Sequence, residues 1–194
     1  MDNQQQPRRN FIKKSLLSTL AVGAGISILT PGILSFTTLE DDEENDPNAK
    51  NEKEFRMGVI GPAELSLATS KIATEKATQK NAKEFAGFEL TEAIAVTNVL
   101  KDLGTPVPSM DAKGKATLEK IKNTSPGNEF DKTYIKAQLE NHEFLRDLAQ
   151  EYLSNSKGKP SAAESQGRHL ATLALATFKE HVAITQRILG ELNA

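Results

Sequence analysis

From Met57 to the end of the chain, apolar residues recur at intervals of three and four and almost never alternate, and no other feature restricts the fold so sharply. That period places one apolar side chain per turn on a single helix face, whereas a half-buried strand needs a period of two. β-Branched residues are scattered, aromatic residues make up 5% of the chain and tryptophan is absent, which leaves no segment suited to a pleated sheet. The expected fold class is all-α.

Punctuation divides the periodic region into helices. Gly61-Pro62-Ala63-Glu64 reads as a helix start, with Pro62 at the first helical position and Glu64 in the first turn, where a carboxylate meets the positive end of the helix dipole. This first helix carries Leu65, Ala68, Ile72 and Ala73 on one side and extends to Thr78. A second, over 82–103, has a seam at Ala82, Phe85, Glu89, Glu92, Val96, Val99 and Leu103. Gly104 ends it, and Thr105-Pro106-Val107-Pro108-Ser109 reads as an extended connector, because each proline steers its predecessor away from the helical region.

A short helix follows over 112–121, weakened by Gly114, and Ser125-Pro126-Gly127-Asn128 reads as a turn. The next long helix, over 131–153, presents Ile135, Gln138 or Leu139, His142, Leu145, Ala149 and Tyr152 on one face. After a polar turn at 155–160, Ser161-Ala162-Ala163-Glu164 fits a capping box. It starts a last helix, to Leu192, with Leu170, Leu173 or Ala174, Thr177, His181, Ile184 or Ile188 and Leu192 inward. Long amphipathic helices joined by short turns predict an up-and-down antiparallel four-helix bundle with one short accessory helix.

The region before the bundle has another character. Arg8-Arg9-Asn10-Phe11-Ile12-Lys13 runs into an apolar segment from Ser15 to Phe36, and Arg8, Arg9, Phe11 and Lys13 look like a twin-arginine export signal. Gly23, Gly25, Pro31 and Gly32 make the apolar run a poor committed membrane span, and small residues around Ser35-Phe36-Thr37 only partly resemble a cleavage site. The expected division is therefore a signal or N-terminal anchor over 1–38, a disordered acidic linker over 39–56 and the helical bundle over 57–194. The implied location is the periplasm or envelope, reached through the twin-arginine translocation machinery, with any membrane contact confined to the N-terminal segment.

Composition removes several function classes. The chain has no cysteine, so a lipid-anchored cysteine, disulfides, thiolate metal sites and cysteine nucleophiles are excluded together. Net charge is −2 with both signs interspersed, and no basic stripe offers a nucleic-acid surface. No glycine-rich phosphate loop and no His-Glu-x-x-His occurs, and no serine-histidine-acid set is identifiable without a fold that brings it together. Glu89 and Glu92 lie one turn apart on one helix, which does not create the opposed carboxylates of glycoside hydrolysis.

Four polar residues on the predicted inner faces remain: Glu89, Glu92, His142 and His181. Carboxylates and imidazoles from facing helices are how iron and manganese sites are built in helical bundles, because removing such groups from water is costly unless they bind an ion or one another. The Glu-x-x-His pairs of di-metal bundles are absent. A fold-back at 156–159 would set His142 opposite residue 173 or 174 and leave His181 about 10 Å further along, too far for a shared mononuclear site. The competing reading is a pair of core histidines satisfied by backbone carbonyls or glutamate, with glutamates reaching water at the seam edge. His169, beside Arg168, is expected to be exposed.

Glu64-Leu65 with Ala68 and Ala73, Phe85-Ala86, Phe130-Asp131-x-x-Tyr134 followed by His142, and the late His181 resemble the domain of unknown function 4142 family of bacterial envelope proteins over 57–194. The resemblance implies a ferritin-like bundle. Members often carry an Asp-His pair in the second helix; the matching residues here are Glu92-Ala93. Two functional readings stand: an envelope protein that binds an unidentified partner or serves in envelope stress, and a ferritin-like metal-binding oxidase or peroxide-handling protein using iron or manganese at Glu89, Glu92, His142 and His181.

Overall fold

A computed structural model of the protein describes residues 47–158 and 161–194. The expected export signal, Arg8, Arg9, Phe11 and Lys13, lies outside them. The described residues form five α-helices and no strand: α1 Glu52–Lys76, α2 Lys80–Asp102, α3 Ala112–Asn123, α4 Asn128–Asn155 and α5 Ala162–Asn193. None of these is long and apolar enough to cross a membrane.

The expected start of the first helix at Pro62 is corrected: α1 begins ten residues earlier and Pro62 lies inside it. The true start signal is Asn51-x-x-Glu54. The Asn51 side chain accepts from the Glu54 backbone N–H at 3.0 Å, and the Glu54 carboxylate in turn accepts from Lys50 N–H at 2.7 Å. Residues 52–56 of the expected disordered linker are therefore helical, and Phe55 is buried with its ring stacked on Tyr152 at 4.8 Å. The neighbouring acidic run masks this apolar anchor in the sequence.

Polar contacts fix the helix directions. At one end of the molecule Arg56, near the start of α1, donates to Leu103 O and Thr105 Oγ1 beyond the end of α2, so α1 and α2 are antiparallel. At the other end Asp131, in the first turn of α4, accepts from Thr78 N, Thr78 Oγ1 and Gln79 N in the α1–α2 turn. Helices α2 and α4 thus start at the same end and run the same way. The expected strict up-and-down alternation does not hold between them. The chain returns along the molecule through residues 103–127, where α3 packs on α1 and α4.

Helix α5 folds back on α4, and Arg168 donates to Leu153 O and Ser156 Oγ. Residue 168 therefore faces residue 156. Fourteen residues back from 156 lies His142, and fourteen on from 168 lies residue 182. The expected offset between His142 and His181 is overturned, because the turn pivots a few residues later than a tight fold-back at 156–159 would.

Two apolar clusters fill the interior. One gathers Phe55, Val59, Ile60, Leu100, Leu148 and Tyr152; the other gathers Phe85, Ile121, Phe130, Tyr134, Ile135 and Ile188. Between them lies a polar layer. Ser66 Oγ donates to Gln138 Oε1 at 3.0 Å, Gln138 Nε2 donates to Thr69 Oγ1 at 2.9 Å, and the Ser70 and Tyr134 hydroxyls pair at 2.8 Å. Buried polar groups persist only when paired in this way, and the layer fixes α1 against α4.

Candidate metal centre

Each functional side chain is placed by the helix period of its own segment. On α4 the face Ile135, Gln138, His142, Leu145, Ala149 and Tyr152 is buried as expected, which points His142 into the polar layer. On α2 the buried residues are Ala82, Phe85, Ala86, Glu89, Ala93, Thr97 and Leu100. The expected seam drifts off this face: Val99 and Leu103 are exposed at 44% and 48%, because a straight helix follows 3.6 residues per turn and departs from a 3.5 repeat. On α5 Phe178, His181 and Thr185 are buried, whereas Leu173 is 72% exposed. His169 is exposed, as expected.

Three ligand atoms from three helices converge. His142 Nε2 lies 3.3 Å from Glu89 Oε2, His181 Nδ1 lies 3.0 Å from the same oxygen, and the two ring nitrogens are 3.0 Å apart. All three residues are buried. The Glu89 oxygen is buried and, close as the two rings are, neither contact has hydrogen-bond geometry. A buried carboxylate oxygen in that condition calls for a cation.

The outer nitrogens set the inner ones. His142 Nδ1 lies 2.7 Å from Gln138 O, an atom that can only accept, so Nδ1 donates there and Nε2 is the nitrogen that faces Glu89 and His181. His181 Nε2 lies 3.0 Å from Glu92 Oε2. Glu92 is therefore outside the convergent set in which the sequence placed it: it faces the far nitrogen of His181, at a half-exposed position. The ring edges are confined by Phe85, 5.3 Å from the His181 ring, and Phe178, 6.2 Å from the His142 ring.

Electrostatics follow from this crowding. Burial alone would raise the Glu89 carboxyl, but the His142 and His181 imidazoles override it and hold it far below the usual carboxylate range. Burial would lower His181, yet Glu89 and Glu92 outweigh it and raise His181 to about 9. Burial, then the Glu89 charge, push the Tyr134 phenol well above its ordinary value. Without a metal, then, a proton on His181 offsets one of the two carboxylate charges beside it.

A cavity of about 290 Å³ opens beside the cluster, reached by Glu89, Glu92, His142 and His181 and walled otherwise by residues such as Val59, Ala93 and Phe178. On α1 the expected inner face of Leu65, Ala68, Ile72 and Ala73 is corrected: Leu65, Ala68 and Ile72 are only partly buried, and Ser66, Thr69 and Ser70, a legible stripe of small hydroxyls at three- and four-residue spacing, point inward with Ala73. Phe130, Asp131 and Tyr134 serve the fold: all three are fully buried, Asp131 caps the α1–α2 turn, and Tyr134 is tied to Ser70.

A family model described as "Domain of unknown function (DUF4142)" matches residues 40–188. No curated protein and no solved structure is significantly similar to the chain.

Proposed function

The chain belongs to the domain of unknown function 4142 family, and from that premise we propose that it is a metal-binding helical-bundle protein whose centre is a mononuclear two-histidine, one-carboxylate site. One observation carries the reading: Glu89 Oε2, His142 Nε2 and His181 Nδ1 converge at 3.0, 3.0 and 3.3 Å, with the oxygen buried and without a hydrogen bond. With metal–ligand bonds of about 2.1 Å, ligands at right angles stand about 3.0 Å apart and ligands at the tetrahedral angle about 3.4 Å. The triangle fits three ligands on one side of a first-row ion.

That donor set, with coordination positions left for an exogenous ligand, suits iron(II) or manganese(II). Gln138 O and Glu92 would orient the two imidazoles, as carboxylates and carbonyls do behind ligating histidines elsewhere. The connectivity, with one long return between α2 and α4, supports reading the bundle as ferritin-like, and one triad among the described residues, in a sequence without Glu-x-x-His pairs, supports one ion in place of two. Oxidase or peroxide chemistry would take place at the positions facing the cavity.

Elemental analysis of the full chain, purified without chelator and reconstituted with iron(II) or manganese(II), tests the site. About one ion per chain, lost in His142→Ala and His181→Ala, is the expected result; the absence of uptake sinks the proposal. We place the protein in the periplasm on the Arg8-Arg9-x-Phe11-Ile12-Lys13 pattern. Replacing both arginines with lysine should stop export, because the receptor reads the guanidinium pair. Unimpaired export of that variant would refute the assignment.

A further inference from the structure

We propose that the groove between α2 and α5 binds a linear aliphatic carboxylate, with its carboxylate at the metal centre and its chain along the apolar trough; this deepens and rests on the metal-site reading above.

The groove exists because one side of the bundle is not closed. Helix α1 packs on α2, α4 and α5, and α4 packs on α5, whereas α2 and α5 meet through side chains at one end, Asn81 with Glu191 and Phe85 and Glu89 with His181, and have no close backbone packing beyond it. Small residues keep the gap open: Ala93 and Ala95 on α2 and Ala174 on α5 stand where leucines would fill it. A second hollow of about 160 Å³ adjoins the cavity at the cluster, and Val59, Ala95, Val96, Ala174 and Phe178 wall both. Their combined size is in the range of small-molecule sites, whose lower bound is roughly 300 Å³.

The two ends differ sharply in chemistry. At one end are two imidazoles and two carboxylates. Every residue around the second hollow is apolar, including Phe55, Leu100 and Leu170. A ligand satisfying both ends has one polar head and an unbranched apolar body. From Glu89 to Leu100 the helix rises about 16 Å, which accommodates a chain of about ten to twelve carbons.

The charge of the head follows from the cluster. Glu89 and Glu92 alone would repel an anion. A divalent ion held by Glu89, His142 and His181 balances both carboxylates and offers its remaining positions to the cavity, where a carboxylate oxygen is a suitable ligand for iron or manganese. Binding of the anion is therefore conditional on the ion. Exposed Val99 lines the second hollow as an apolar margin that such a chain would partly cover.

The test is titration of the full chain, manganese-loaded or manganese-free, with decanoate below its micelle concentration, following heat and the relaxation of water protons by the bound ion. Decanoate should bind the loaded protein at one equivalent and displace metal-bound water. It should bind the manganese-free protein at least tenfold more weakly, and outcompete acetate, each methylene adding up to about fourfold. Ala174→Leu, which fills the trough, and Val99→Asp, at an exposed position, should each lose decanoate affinity while keeping manganese uptake. Manganese uptake without decanoate binding would overturn this inference and leave the metal site standing; no manganese uptake would overturn both. Equal decanoate affinity with and without manganese, or decanol binding as tightly as decanoate, would overturn the assigned head group.

Discussion

Glu89→Gln separates a metal centre from a purely structural polar cluster. The substitution keeps the shape of the side chain and removes the charge from an oxygen that lies within 3.3 Å of both imidazoles. In the metal-free protein Glu89 faces a His181 that is protonated up to about pH 9, so the neutral amide should cost about 1 to 3 kcal/mol. A ligand that binds only the native state stabilises it by about 2.7 kcal/mol at one hundred times its Kd. For a domain of this size that corresponds to a rise in Tm of about 5 to 11 °C. Loss of a partner behind a ligating histidine already weakens metal affinity about 10- to 100-fold, and loss of a direct charged ligand should reach at least the upper figure. At the same manganese concentration the variant then retains about 0.4 kcal/mol, a shift of under about 2 °C. Thermal melts of the full chain and the variant, with chelator and with manganese(II) or anaerobic iron(II), measure both effects. An equal metal-dependent shift in the two proteins, or none in the unmodified chain, refutes the reasoning.

Three further outcomes follow from the geometry. His181 is raised from 6.5 to about 9, so its contribution to the stability of the chelated protein is fully present below the unfolded value and is lost as pH rises through about 9; urea midpoints at pH 6, 7.5 and 9.5 should fall in that order, and a flat profile contradicts the pairing with Glu89 and Glu92. Asp131→Ala strands two backbone N–H groups of the α1–α2 turn and should cost about 2 to 3 kcal/mol in denaturant melts, whereas a neutral effect would mean that water replaces the cap. Gly167→Ala would set a methyl 2.5 Å from Tyr152 Oη and 2.6 Å from Glu52 Cβ, so overpacking of about 1 to 3 kcal/mol should exceed the helix-propensity gain; a stabilised variant would show that α1 and α5 separate freely.

Much of the fold was legible in local sequence because helix formation and capping are local. Ser161-x-x-Glu164 caps α5, Gly127 in a positive-φ conformation precedes α4, and the α4 face from Ile135 to Tyr152 is buried residue for residue. The start of α1 is ambiguous for the same local reason: Gly61-Pro62-Ala63-Glu64 satisfies the rules for a first turn, but Asn51-x-x-Glu54 satisfies them earlier and is followed by the buried Phe55. On α2 the inward carboxylate Glu89 was evident, whereas Val99 and Leu103 were not separable from the core stripe until the facing helix was known.

The sequence by itself thus determined which side chains could serve a site, since Glu89, His142 and His181 each occupy the inner face of their own helix. Whether they meet is a matter of register between helices distant in the chain, and register is set by packing that no single segment encodes. Arg168 against Ser156 displaces the turn so that His142 faces His181, and the return through residues 103–127 makes α2 run parallel to α4, which brings Glu89 to the same level. The open side between α2 and α5 is likewise a property of the assembled bundle: alanines at 93, 95 and 174 read locally as ordinary helix formers, and only their juxtaposition across the gap makes a groove.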